Sequence, residues 1–96
     1  MNDNKHLQNT QFNLDTEEIV GRAKIEATRS DLEKVYQALC EKGYNPIAQL
    51  VGYILTEDPT YITSHNGARI LASKMDRDDI LVMLLRDFLE NKQKNY

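Results

Sequence analysis

Side chains able to do chemistry are few in this chain and lie far apart. It has two histidines, His6 and His65, and one cysteine, Cys40. A protein-held metal needs ligands at fixed spacing, and no HExxH, CxxC or EF-hand pattern occurs. No metal and no cofactor is therefore expected. A catalytic cysteine needs a lowered pKa and a histidine base beside it. Cys40 falls instead on an apolar stripe with Tyr36 and Leu39, which predicts a buried small hydrophobe. The acid pairs Glu57-Asp58 and Asp78-Asp79 could serve as general acid and base, but both fall at expected helix boundaries, where capping explains them. The glycines at 21, 43, 52 and 67 match neither GxxxxGK[ST] nor GxGxxG. Nothing here points to an enzyme.

Two sets of residues remain. Tyr44, Tyr53 and Tyr61, with His65, Arg69, Lys74 and Arg77, could gather into a polar partner surface or a solvated rim. Thr10 lies in a polar segment that could present an extended hydroxyl to a kinase, and Thr16 follows it. A phosphate there adds nearly two negative charges and strong hydrogen-bond acceptors.

The elements that must position these groups are helices. Asn45 suits an N-cap and Pro46 the first helical position. Ile47, Leu50, Val51, Ile54 and Leu55 then recur at i, i+3, i+4, i+7 and i+8, which predicts one buried stripe. Asp58-Pro59 stops that helix. Ser30 with Glu33 has the form of a capping box, and Leu32, Val35, Tyr36, Leu39 and Cys40 predict a helix over about 31–42, closed by a left-handed Gly43. Asp15 with Glu18 has the same form, and the segment from 15 to 29 reads as helical, either separate or continuous with the next. A further helix is expected from about Asn66 to Lys74, with Ala68, Ile70, Leu71 and Met75 on its apolar side. Asp76 caps the last helix, in which Ile80, Leu81, Met83, Leu84, Leu85, Phe88 and Leu89 follow within ten positions. That is wider than one stripe and asks for cover on two sides. In so small a domain the second cover is expected to be another subunit, with Leu81, Leu84, Leu85 and Phe88 at its centre.

The expectation is an all-α fold, a small bundle of four to five short helices that pairs with itself. Residues 1–14 are expected to form a mobile tail, 15–90 a single helical domain, and 91–96 a frayed end. The chain has 96 residues. A domain of this size buries roughly 65% of the surface its unfolded chain exposes, so its own core is thin. The net charge is −3 and the sequence pI about 5.3. That balance disfavours nucleic acid and anionic membrane surfaces, which need clustered positive charge. The alternative, a small helix-turn-helix reader of nucleic acid, has two short helices and a tight turn in its favour. Against it, the stretch from Pro46 to Thr56 holds no Lys or Arg. No apolar run approaches the ~20 residues of a membrane span. The polar opening residues lack the apolar centre of a secretion signal, so a cytoplasmic setting is expected.

The central stretch resembles the IreB family of small regulators of Gram-positive bacteria. The residues that carry the likeness are Glu41-Lys42-Gly43-Tyr44-Asn45-Pro46-Ile47, Gln49, Val51-Gly52-Tyr53, Leu55, Asp58-Pro59 and Tyr61-Ile62. Val35-Tyr36 and Leu39 precede them, and Ala68-Arg69, Lys74 and Arg77-Asp78 follow. The resemblance implies a non-enzymatic, all-helical, homodimeric regulator of a cell-envelope stress and antibiotic-resistance pathway. It implies as partners a membrane-anchored, PASTA-type Ser/Thr kinase, its phosphatase and an unknown downstream protein. It also implies a phosphorylated threonine near the N-terminus. Thr10-Gln11-Phe12-Asn13-Leu14 is similar to the family's Thr followed by Phe-x-(Leu/Phe), with one residue fewer in between. That makes Thr10 the expected acceptor, with Thr16 in reserve.

Overall fold

The computed structural model describes the backbone of residues 3–94 and the side chains of residues 21–91. Four α-helices follow one another: α1 Asp3–Glu41, α2 Pro46–Thr56, α3 Ala68–Lys74 and α4 Arg77–Lys94. Two single turns of 3-10 helix, Pro59–Tyr61 and His65–Gly67, link α2 to α3. Among the described residues there is no strand, as an all-α fold requires.

The first helix runs unbroken through Ser30, so the capping-box reading there does not mark a start. A cap is needed only where backbone N–H groups lack partners, and inside a continuing helix they have them. The segment from 15 to 29 is thus continuous with the next. The end of α1 falls where its sequence places it. Gly43 takes a left-handed φ of 80°, and the Tyr44 amide reaches back to the Leu39 carbonyl at 3.0 Å, the closing bond of a Schellman turn. Asn45 then caps α2, accepting the Ala48 amide at 3.1 Å, with Pro46 at the first position. Asp76 likewise accepts the Asp78 amide at the start of α4, at 3.0 Å.

The start of α3 departs from expectation. Asn66 and Gly67 both hold left-handed φ, 53° and 72°, so they form a turn and the helix begins at Ala68. Asn tolerates that conformation better than other side chains. The Asn66 amide donates to Glu41 Oε1 at 3.3 Å, and His65 Nε2 meets the same oxygen at 2.8 Å. One carboxylate at the end of α1 thereby ties down the turn.

A small core joins all four helices. Val35, Ala38 and Leu39 of α1 meet Tyr53 of α2, Ile62 of the linker, Ala68 and Ala72 of α3, and Met75 and Ile80 at the entry to α4. Thr28, also buried, satisfies its hydroxyl on the Lys24 carbonyl one turn back, at 3.0 Å. Two expected core residues lie elsewhere. Cys40 is exposed, because Val35, Ala38 and Leu39 carry the buried face of α1 and Cys40 lies beyond its edge. Ile70 is 62% exposed, because the short α3 faces inward through Ala68 and Ala72.

Candidate functional site

The helix α2 determines the surface of this molecule. Its apolar stripe is expected to be buried, yet Ile47, Val51 and Leu55 are 63%, 49% and 75% exposed. The stripe divides: Leu50 and Ile54 pack against the core, and with them the inward side of α2 carries Gln49, Gly52 and Tyr53, spaced i, i+3 and i+4. Tyr53 is buried and donates its hydroxyl to the Ala72 carbonyl at 3.0 Å. Gln49 donates from its amide to the Tyr61 carbonyl at 2.9 Å. Gly52 lies under the ring of Tyr61, and a Cβ at that position would come within 2.8 Å of the ring's Cζ. An aromatic ring packed this close to the backbone requires glycine there.

The linker and the two arginines complete the frame. Asp58 accepts the Thr60 amide at 3.0 Å and the Thr60 hydroxyl at 2.7 Å. Those bonds hold its carboxyl below the usual range. Arg69 donates to the Ile62 carbonyl at 2.8 Å. Arg77 donates to the Ile54 carbonyl at 2.8 Å and pairs with Glu57 at 3.1 Å. It thus neutralises the C-terminal end of α2 and steadies a residue held at a left-handed φ of 61°.

These positions correct one expected grouping. Tyr53 lies in the core, and Arg69 and Arg77 are half-buried and engaged with backbone carbonyls. Of the proposed partner surface Tyr44, Tyr61 and Lys74 stand open, the two tyrosines at 49% and 37% exposure. Thr10 and Thr16 lie on the backbone of α1, and their side chains fall outside the described residues.

Among the described residues lies an apolar groove of about 940 Å³. Its walls are Leu32 and Tyr36 from α1, Ile47, Val51 and Ile54 from α2, and Leu84 from α4. Along the rim stand Glu33, Lys34 and Gln37. Leu81, Leu84, Leu85 and Phe88, expected at a subunit contact, are all exposed on α4, between 43% and 64%. In the groove wall, the neighbouring Cys40 thiol pushes the Tyr36 phenol up from its ordinary value. Such a groove binds apolar surface and offers little polar chemistry. Among the described residues no three of His, Cys, Asp or Glu gather as a metal site requires. None of the described helices is long and apolar enough to cross a membrane.

The opposite side of α4 is ionic. Arg29 of α1 makes a two-pronged bond to Asp87, Nη2 to Oδ1 at 3.1 Å and Nη1 to Oδ2. That bond holds the Asp87 carboxyl below its usual range. Lys24 reaches Asp79 at 3.1 Å and Asp76 at 3.9 Å, and the bond to Asp79 raises its ammonium above the ordinary value.

The open face of α2 was hidden from the sequence because counting apolar residues picks the longest stripe. The signal that could have revealed it is the spacing of Gln49, Gly52 and Tyr53 relative to Tyr61.

Compared with known families, the chain matches the model of the IreB family, described as the IreB regulatory phosphoprotein, over residues 9–90.

Proposed function

Because the chain belongs to the IreB family of regulatory phosphoproteins, we propose that it is a non-enzymatic regulator switched by phosphorylation near its N-terminus. The observation that carries this is the family match itself, which spans both Thr10 and Thr16. Thr10 is the acceptor and Thr16 the reserve. The kinase is a membrane-anchored Ser/Thr kinase of PASTA type, opposed by a phosphatase, and the setting is cytoplasmic. The pathway is the one that senses cell-envelope stress and sets resistance to wall-directed antibiotics. The output passes to a downstream protein, and the chain acts as a pair through Leu81, Leu84, Leu85 and Phe88.

A phosphate on Thr10 would add about two negative charges to a chain whose net charge is already −3. That increment suits a switch that repels an acidic surface or recruits an arginine cluster. A nucleic-acid role is disfavoured by the same balance and by the absence of basic residues on α2.

The test is intact mass after incubation with the kinase domain of a PASTA-type kinase, for wild type, Thr10→Ala and Thr16→Ala. Phosphate lost only in Thr10→Ala supports the reading in full. Phosphate lost only in Thr16→Ala moves the site. No phosphate on any of the three, with a kinase active on a control substrate, overturns the kinase step.

A further inference from the structure

We propose that Asn66-Gly67 is a site of spontaneous covalent modification, at which the Asn66 side-chain amide becomes a carboxylate, and that Glu41 restrains the reaction.

Of the asparagines in the chain only Asn66 is followed by glycine. When the backbone nitrogen of the next residue attacks an asparagine Cγ, a five-membered imide closes and ammonia leaves. Water then opens the ring at one of its two carbonyls. One opening gives aspartate. The other gives isoaspartate, in which the main chain runs through the side-chain carbonyl and gains a methylene. One water enters, one ammonia departs, and nothing is oxidised or reduced. A side chain on the attacking residue hinders the approach, so glycine is the neighbour that permits it best. Asn45, by contrast, precedes Pro46, whose nitrogen has no proton to lose.

The folded turn stands one backbone rotation away from this reaction. Ring closure needs the Gly67 nitrogen on the same side of the Cα–C bond as the Asn66 Cβ. That corresponds to ψ of about −120°, the value at the first central residue of a type II′ turn. Asn66 already has the left-handed φ of that turn, 53°, but its ψ is 29°. The surroundings leave room for the rotation. Asn66 is exposed, and nothing lies within 4 Å of the place a Cβ on Gly67 would take.

Two hydrogen bonds oppose it. The Gly67 amide donates to the Ser64 carbonyl at 3.2 Å, and the Asn66 side chain donates to Glu41 Oε1 at 3.3 Å. Both are long. Glu41 Oε1 is also held by His65 Nε2 at 2.8 Å, which fixes the carboxylate where it meets Asn66. The restraint on the turn is therefore supplied from the end of α1.

The product acts on that same contact. A carboxylate at residue 66 would face Glu41 where an amide now donates to it, and like charges so close repel. The tie between α1 and the turn then opens. Isoaspartate would also lengthen the backbone just ahead of Ala68, the buried first residue of α3. The site is thus an irreversible clock that loosens the start of α3 from α1.

The test follows the full chain over a time course in mildly alkaline buffer. Peptide mass mapping locates the change, and an isoaspartate-specific methyltransferase counts the isoaspartate. Wild type, Glu41→Ala and Glu41→Gln are compared, with helix content read by circular dichroism and wild type in urea as the unrestrained reference. Conversion is expected at residue 66 ahead of every other asparagine, and faster in urea than in the folded chain. Glu41→Ala is expected to react about fivefold faster than wild type, the shift in opening that one ordinary hydrogen bond sets. Glu41→Gln keeps an acceptor and should stay near wild type. Should Glu41→Ala lose helix content, Glu41→Asp, which draws the carboxylate back by one methylene, takes its place. If another asparagine reacts while residue 66 of folded wild type does not, the site falls. If folded wild type, the Glu41 variants and the urea-unfolded chain all react at one rate, the restraint by Glu41 falls.

Discussion

The block formed by α2, the linker and α3 differs in construction from α4. In the block the polar side chains that face inward are bonded to backbone carbonyls, Tyr53 to Ala72, Gln49 to Tyr61 and Arg69 to Ile62, and Arg77 at the first position of α4 adds a bond to Ile54. On α4 the inward face is narrow, one flank is tied to α1 by ion pairs, and the other is open and apolar. The block specifies a shape and α4 presents a surface. The residues of the family likeness serve both: Gln49, Gly52, Tyr53 and Arg69 hold the frame, while Ile47, Val51 and Leu55 lie open with the leucines of α4.

The strongest way to break this contrast is to truncate one leucine on each side of it. Leu39 is fully buried where α1 meets the block. Leu39→Ala should cost about 2–5 kcal/mol, through lost burial and the cavity left behind. In so small a domain that is enough to abolish cooperative unfolding. Leu85→Ala, 57% exposed, should change the stability of the single chain by about 0.5 kcal/mol or less. Urea unfolding at low protein concentration checks both. Similar losses at the two sites would dissolve the distinction between frame and surface.

Next in size is Gly52→Ala. The added methyl would overlap the Tyr61 ring, and relieving it should cost about 1–3 kcal/mol. The Tyr61→Ala change removes the obstacle, so the double variant should be less destabilised than the sum of the two single ones. An additive double variant would mean that the ring moves aside freely. Tyr53→Phe should cost about 1 kcal/mol, because it removes one of the two donors to the Ala72 carbonyl and leaves only the Met75 amide.

The same contrast governs what the sequence could reveal. Turns and caps were legible because each is a local decision: Gly43, Asn45, Pro46 and Asp76 act within a few residues of themselves. The class and the surplus apolar face of α4 were legible from periodicity. The inward face of α2 was not, because two faces compete there. The apolar stripe divides: Leu50 and Ile54 keep the core side, while Ile47, Val51 and Leu55 give way to a hydroxyl, an amide and a glycine matched to the linker. That match lies between Gln49 and Tyr61 and between Tyr53 and Ala72, too far apart in sequence for periodicity to register. Ser30 misled for a related reason, since a capping pattern inside an uninterrupted helix has no free amides to satisfy. Cys40 and Ile70 misled because apolar spacing does not say where the edge of a narrow buried face falls.

The smallest expected effect lies on the ionic flank and sharpens the comparison by its pH dependence. The Asp87 carboxyl is held below its usual range by the Arg29 hydrogen bond first and by charge second. An acid whose folded-state pKa is depressed adds stability that is fully present above its unfolded pKa, near 3.8, and is lost as pH falls through the folded value. Both groups lie at the surface, so solvent and salt weaken the pair. Asp87→Asn should therefore lower the urea midpoint slightly at pH 7, and the gap from wild type should close as pH falls below about 4. Added salt at pH 7 should narrow it as well. Tyr53→Phe serves as the neutral control, since its lost bond is to a carbonyl and its deficit should hold steady over the same range. A gap at Asp87 that is insensitive to both acid and salt would show that the Arg29–Asp87 pair ties α1 to α4 by packing and not by charge. The two regions would then differ in what they expose and not in how they are tied.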